Sequence, residues 1–135
     1  MSKEFPLNKP GFHPFAELIG LKFTSIEGGH SQCILEVNGK LLNPHNVLHG
    51  GVIYSMADTG MGTALYTSLD EGEMCATLEI KIVYLAAVPS GTLTCNTRLI
   101  QRTKSIAVLE SEIENNGKLV AKAMGTYSIF KSKRD

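Results

Sequence analysis

Residues 49–69 read HGGVIYSMADTGMGTALYTSL, and this stretch decides the fold. Its apolar side chains recur at helical spacing: Ile53, Met56, Ala57, Met61, Ala64 and Leu65. The spacing predicts one long helix over residues 50–69 that is apolar on almost every side. Gly60 and Gly62 lie inside it, although a glycine costs a helix on the order of 1 kcal/mol relative to alanine. We therefore expect another layer, such as a sheet wrapped around the helix, to pack close against it.

The chain before this helix predicts a short helix, a hairpin and a loop. The helix is expected at residues 15–19, and the hairpin strands at residues 21–27 and 32–37. Gly28 and Gly29 separate the two strands. Pro44 keeps the residue before it extended, so the first half of the chain is predicted to end in a loop.

Four runs with strand character follow the helix, at residues 76–88, 92–102, 106–114 and 119–130. Residues 89–91 (Pro-Ser-Gly) and 116–117 (Asn-Gly) punctuate them as turns, the second being a strong hairpin signal. The run 106–114 alternates apolar and polar side chains, which predicts one solvated face. The predicted order is a hairpin, a central helix and an antiparallel meander, an α+β fold in a single domain over residues 1–135.

The composition narrows the functional class. The chain has 135 residues, of which 43% are hydrophobic, and its thirteen basic side chains balance thirteen acidic ones. A neutral chain with a substantial core argues against disorder and against nucleic-acid binding, which usually needs a net basic surface. The longest apolar run, residues 82–88, is too short to span a membrane, and the N-terminus lacks the pattern of a signal peptide. These features predict a cytoplasmic protein without a membrane partner, and its three widely spaced cysteines are expected to be reduced thiols.

Asp58 is the single carboxylate in the helical stretch, and its neighbours are small or apolar. Burial of a carboxylate is costly unless it is paired or hydrogen-bonded, and carboxylates in such settings are common general bases. The alternative is that Asp58 lies on a solvated stripe of the helix, and the pattern alone leaves both interpretations open.

The residues His49, Gly50 and Gly51 precede the helix. Glycines let the backbone approach a ligand closely, and the free amides of the first helical turn carry a partial positive charge. This pattern indicates a place to hold an oxyanion, although an ordinary loop-to-helix junction has the same composition.

The sequence does not match three other catalytic or cofactor-binding motifs, because residues that each motif requires are absent. His45 and His49 are four apart, but the zinc protease pattern needs Glu where this chain has Asn46. Gly60 and Gly62 lack the third glycine of the dinucleotide fingerprint, and no serine has the GxSxG context of an esterase elbow.

Taken together, Asn43, the HGG at residues 49–51, Asp58 and the strand sequence TLEIKIVY at residues 77–84 resemble the hotdog-fold acyl-CoA thioesterases. The chain is most similar to the PaaI type, named for phenylacetate degradation, over roughly residues 15–130. The core of the resemblance is HGG with an aspartate nine positions after its histidine and an asparagine six positions before it.

The resemblance implies a curved antiparallel sheet wrapped around one long central helix. It further implies a homodimer that pairs its sheets edge to edge, dimers that pair into a homotetramer, and an active site at each subunit junction. Gly50 would donate its amide to the thioester oxygen, and Asp58 of the partner subunit would attack the carbonyl or activate water. The family uses coenzyme A as part of its substrate, and no further cofactor or metal is expected.

The remaining site residues are also expectations from the resemblance. Asn43 and Thr77 would hold the water or steady the carboxylate, while His49 braces the loop through a backbone hydrogen bond. The acyl pocket would be lined by Val47, Leu48, Tyr54 and Met61, beside Gly51, and a basic rim of Arg102 and Lys104 would meet the phosphates of coenzyme A. Thr77 is equally consistent with an ordinary strand residue, and Arg102 and Lys104 with a solvated turn.

The sequence therefore predicts hydrolysis of a medium-chain or aryl acyl-CoA thioester to the free acid and coenzyme A. The alternative is a non-catalytic acyl-CoA binding or sensing module that uses the same pocket. A hotdog dehydratase ranks below both, because the spacing of histidine and aspartate is not the one it needs.

Overall fold

A computed structural model describes residues 5–132, which form a six-stranded antiparallel sheet and a long helix. The elements in chain order are α1 (Pro14–Ile19), β1 (Lys22–Glu27), β2 (His30–Glu36), a 3-10 turn (Gly39–Leu41), α2 (Gly50–Tyr66), β3 (Glu73–Tyr84), β4 (Thr92–Arg102), β5 (Ile106–Asn115) and β6 (Lys118–Lys131). The predicted α+β class, the hairpin and the central helix are confirmed.

The strand order in the sheet is β1-β2-β4-β5-β6-β3, and every neighbouring pair is antiparallel. The predicted four-strand meander is therefore only partly right, because β3 pairs with β6 at an edge and not with β4. The chain leaves β3 at Tyr84, four residues before the expected end. Its next segment crosses the start of α2, where the Leu48 amide donates to the Val88 carbonyl at 2.7 Å, and then reaches the edge of β2. A crossing connection of this kind replaces the tight turn that would have paired β3 with β4.

Helix α2 packs on the sheet through side chains that are almost completely buried, among them Met56, Met61 and Leu65. A Cβ atom on Gly60 would lie 2.8 Å from Oγ1 of Thr97, so the expected close approach of a sheet is confirmed there. At Gly62 the expectation is wrong, because a Cβ atom would meet nothing within 4 Å. Only the first glycine is required by packing.

The helix ends at Tyr66, three residues before the predicted end. Thr67 supplies the reason, because its side chain donates to the Ala64 carbonyl at 2.8 Å and accepts from the Gly29 amide at 2.9 Å. The end of α2 is thereby tied to the β1–β2 turn. A tertiary contact of this kind leaves no trace in the apolar periodicity, which continues to Leu69.

The three cysteines form no disulfide. Cys33 and Cys95 are buried opposite each other on β2 and β4, and Cys75 is half-buried.

Candidate active site

Asp58 lies in the middle of α2, half-buried, and faces an open pocket of about 340 Å³. Its carboxylate oxygen Oδ1 accepts hydrogen bonds from Thr77 Oγ1 at 2.8 Å and from the Tyr127 hydroxyl at 2.5 Å. The other oxygen, Oδ2, has no hydrogen-bond donor among the described residues. Both alternatives for Asp58 hold in part: its carboxylate is hydrogen-bonded by side chains of the sheet, and it lies on the least buried stripe of α2 together with Ser55 and Gly62.

The pocket around Asp58 is built from four parts of the chain, one of which is β6 with Tyr127. Gly62, one turn after Asp58 on α2, has no side chain and so leaves space in the pocket. Strand β3 adds Cys75 and Thr77. The segment before and within α1 adds His13 and Phe15. The volume lies in the range of small-molecule sites, and the mixture of aromatic and polar walls is typical of them.

Tyr127 is the functional candidate that the sequence reasoning missed. It lies on β6 with 2% of its surface exposed, and burial raises the pKa of its hydroxyl well above the usual value, with the hydrogen bond to Asp58 adding to the effect. The signal was present in the alternation of β6, where Ala121, Ala123 and Ile129 share the inward phase with Tyr127. A tyrosine among inward apolar residues needs a hydrogen-bond partner, and Asp58 is the carboxylate opposite it.

His49 caps the helix, and Gly51 completes the cap. The Nδ1 atom of His49 accepts a hydrogen bond from the Gly51 amide at 2.8 Å, which satisfies one of the free donors of the first turn. The Gly51 amide is therefore occupied and does not face a ligand.

Gly50 keeps its amide free. Among residues 5–132 the Gly50 N–H has no hydrogen-bond acceptor, while its carbonyl accepts from the Tyr84 hydroxyl at 2.7 Å. A Cβ atom on Gly50 would lie 3.2 Å from the Tyr84 ring, so a glycine suits this position. Burial, with a smaller contribution from Tyr54, raises the pKa of Tyr84 and keeps it a donor. The free amide lies at the positive end of α2.

Asn43 uses its side chain to shape the loop before α2. Its Oδ1 accepts from the amides of His45, at 2.8 Å, and Val47, at 3.4 Å. The side-chain nitrogen has no acceptor within the described part of the chain. Asn43 can therefore donate to a ligand while its oxygen holds the loop.

Gly50 and Asp58 lie in different pockets of the same chain. Eight residues separate them on one helix, which corresponds to roughly 12 Å at 1.5 Å per residue. A thioester carbonyl cannot contact both groups of a single chain. Thr77, in contrast, is brought directly to Asp58.

The expected substrate-binding residues fall into two groups. Leu48 borders the pocket beside Gly50, and Val47 and Tyr54 are half-buried near the start of α2. Met61, contrary to expectation, is completely buried in the core, since the α2 periodicity directs it toward β6.

Arg102 also departs from the expectation of a free rim cation. Its guanidinium forms two hydrogen bonds with the Glu73 carboxylate, at 3.2 and 3.3 Å, and a third with the Ser68 carbonyl. The Arg102 contact, with the Asp70 amide next in importance, lowers the pKa of Glu73 to about 2. Lys104, in the β4–β5 turn, is exposed.

Within residues 5–132, no cluster of three or more histidine, cysteine, aspartate or glutamate side chains is arranged to hold a metal ion. No helix in the same range is long and apolar enough to cross a membrane.

The sequence model described as "Thioesterase superfamily" matches residues 45–122, more than half of the chain. This chain belongs to the thioesterase superfamily. It is a PaaI-like member with the hotdog fold, and it is a thioester hydrolase.

Three known proteins show how this thioesterase relates to the superfamily. The 1,4-dihydroxy-2-naphthoyl-CoA hydrolase of Listeria monocytogenes is 30% identical over 119 residues, which cover 87% of this chain and 97% of that one. The acyl-coenzyme A thioesterase PaaI of Escherichia coli is 28% identical over 101 residues, covering 74% and 70%. The crystal structure of thioesterase HI1161 from Haemophilus influenzae matches with a TM-score of 0.91 at 25% identity, covering 98% of this chain and 96% of that one.

Proposed function

We propose that this thioesterase hydrolyses acyl-CoA thioesters that carry a medium-chain or aryl acyl group, releasing the free acid and coenzyme A. The observation that carries the proposal is the Asp58 carboxylate, held at Oδ1 by two hydroxyl donors in an open pocket. Two relatives, the PaaI thioesterase and the naphthoyl-CoA hydrolase, are named for CoA thioesters, and the second of these has an aryl acyl group.

The chemistry needs a group that delivers water or attacks the carbonyl. Asp58 supplies it through Oδ2, either as a general base toward a water molecule or as a nucleophile that forms an acyl-enzyme anhydride. The Gly50 amide donates to the thioester oxygen as negative charge develops on it, at a helix end that favours negative charge. Thr77 steadies the carboxylate, Asn43 donates to the water, and His49 holds the loop in place.

A complete site in this proposal needs two chains, because Gly50 and Asp58 of one chain are too far apart to act on the same carbonyl. Strand β3 is at an edge of the sheet, where its outward backbone groups are available for pairing. Its exposed Leu78 and Val83 give that edge an apolar character. We therefore propose a homodimer as the minimal functional unit, with Gly50 from one subunit and Asp58 from its partner, and further pairing of dimers into a tetramer.

Recognition of the coenzyme A phosphates in this scheme falls mainly to Lys104, which is exposed and has no ion-pair partner within residues 5–132. Arg102 contributes less, because Glu73 already neutralises its charge. The acyl group enters beside Leu48, and Gly62 leaves room near the reacting carbonyl.

The test is release of thiol from a panel of acyl-CoAs that spans short, medium, long and aryl acyl groups. We expect turnover of at least one, and a fall in kcat of about 10³-fold or more in Asp58→Asn, since the loss of the base removes the main route. Asp70→Asn makes the same change at an exposed position and should match the wild-type protein. No release from any acyl-CoA, or full activity in Asp58→Asn, would contradict the proposal. Tight binding measured by calorimetry without turnover would favour the non-catalytic binding module.

A further inference from the structure

We infer that Tyr127 is a positioning residue for the thioesterase reaction: with Thr77 it fixes Oδ1 of Asp58 and thereby makes Oδ2 the oxygen that reacts. This inference rests on the function proposed above and deepens it. Tyr127 does not touch the pocket's reacting atoms itself in this scheme, because it acts through the carboxylate.

The contact between Tyr127 and Asp58 has two parts. The hydroxyl lies 2.5 Å from Oδ1 and 2.9 Å from the backbone carbonyl oxygen of the same aspartate. A phenol has one proton to donate, and the shorter distance and the charge of the carboxylate favour Oδ1. The backbone contact places the ring directly against α2 at the residue that carries the carboxylate.

The two donors on Oδ1 decide which oxygen is available. Tyr127 and Thr77 come from neighbouring strands, since Thr77 pairs with Tyr127 in the β3–β6 register, and their hydroxyls converge on the same atom. Rotation of the carboxylate about its Cβ–Cγ bond would break both hydrogen bonds. Oδ2 has no donor within residues 5–132, and Asp58 lines the open pocket, so in this proposal Oδ2 is the oxygen that takes a proton from water or attacks a carbonyl.

Tyr127 is suited to this role because its hydroxyl stays protonated and its ring is packed inside the protein on a central strand. Burial raises the pKa of its hydroxyl far above neutrality, so the group remains a donor at every pH at which the enzyme works. Strand β6 is paired on both sides, with β5 and β3, and the ring is buried. A rigid support of this kind holds a catalytic group more firmly than a loop would.

The experiment compares Tyr127→Phe with Tyr66→Phe on an acyl-CoA that the wild-type enzyme turns over. Both variants lose one phenol hydroxyl, and Tyr66 lies at the far end of α2. We expect Tyr127→Phe to lower kcat roughly 10- to 100-fold, with KM within about twofold, because a hydrogen bond to a charged group is lost. Tyr66→Phe should leave kcat unchanged. Thermal unfolding of each variant controls for loss of fold.

A second readout separates positioning from general packing. In an Asp58→Asn background the carboxylate is gone, so adding Tyr127→Phe should lower the residual rate by less than about twofold.

The outcomes distinguish the two proposals. Wild-type kcat in Tyr127→Phe, together with an inactive Asp58→Asn, overturns the role of Tyr127 and leaves the proposed function intact. An equal loss from Tyr127→Phe in both backgrounds overturns the role as well, because the effect would then not pass through Asp58. Absence of wild-type turnover on the whole panel overturns both.

Discussion

The Nδ1 atom of His49 lies 2.8 Å from the Gly51 amide, so the histidine of the HGG motif closes the first turn of the helix that follows it. The two glycines of the motif are then required for different reasons. Gly51 leaves space for the His49 ring, and Gly50 leaves space for the Tyr84 ring while keeping its amide free. The HGG motif therefore caps the start of α2 and leaves the Gly50 amide without an acceptor among the residues that the structure describes. The proposed oxyanion site uses this amide.

Gly51→Ala should lower the free energy of unfolding by about 1 kcal/mol, the usual cost of losing a helix cap. The added Cβ would lie 2.9 Å from His49 Nδ1, which is closer than a real contact allows. Chemical denaturation measures the change. Gly39→Ala is the matched control, because its Cβ would meet nothing within 4 Å. Equal stability of the two variants would show that the cap contributes nothing.

Gly60→Ala and Gly62→Ala should change stability in opposite directions, although the residues are two apart on one helix. At Gly60 a Cβ would lie 2.8 Å from Thr97 Oγ1, which is itself held by Ser111 at 2.6 Å and cannot move aside. We expect a net loss of about 1–2 kcal/mol there, since overpacking outweighs the gain in helix propensity. Gly62→Ala should gain up to about 1 kcal/mol. Thermal or urea unfolding that ranks the two variants the other way would contradict the packing.

Thr77→Val should lower kcat about tenfold, and Thr77→Ser should retain most of the activity, because the hydroxyl and not the methyl group contacts Asp58. Valine keeps the shape of threonine without the hydroxyl, and serine keeps the hydroxyl without the methyl group, so the pair separates the hydrogen bond from the packing. The measurement is thiol release at saturating substrate. Equal activity in Thr77→Val and the wild-type enzyme would reduce Thr77 to an ordinary β-branched strand residue.

Glu73→Gln should destabilise the protein by about 2 kcal/mol at pH 7, the usual loss when a hydrogen-bonded charge is removed. Because Arg102 lowers the pKa of Glu73 to about 2, its contribution is fully present above the ordinary carboxyl pKa. It then decreases as the pH falls from about 4.5 toward about 2. Urea unfolding at several pH values should show the gap between variant and wild type closing over that range.

The control for this prediction is Glu112→Gln. Glu112 pairs with Lys122 at 3.3 Å, but both side chains are about half exposed, so the change should stay below about 0.5 kcal/mol at every pH. A gap for Glu73→Gln that did not depend on pH would show that the carboxylate charge is not what stabilises this end of the sheet.

Several features of this thioesterase could be read from the order of residues. The period of the apolar side chains predicted α2, and the Asn-Gly at residues 116–117 predicted the β5–β6 hairpin. The start of β4 and its end were predicted without error at Thr92 and Arg102. These features depend on neighbours within a few residues, where side-chain period and turn chemistry act directly.

Contacts between distant residues were harder to foresee. The edge position of β3, the ion pair of Arg102 with Glu73 and the burial of Met61 all join segments far apart in the chain. Arg102 and Met61 were both expected to contact the substrate. An arginine near a turn and a methionine on a helix have the same sequence context whether they face a ligand or another strand.

The sequence by itself determined the long apolar helix, the strands around it and the presence of one carboxylate that such a helix would not otherwise hold. Local spacing and propensity are enough for those features, because they act between residues close in the chain. Only the tertiary structure decided how the carboxylate is held. Thr77 and Tyr127 follow Asp58 by 19 and 69 residues, and they reach its Oδ1 because β3 and β6 are neighbours in the sheet. That pairing depends on strand order, which no local pattern encodes.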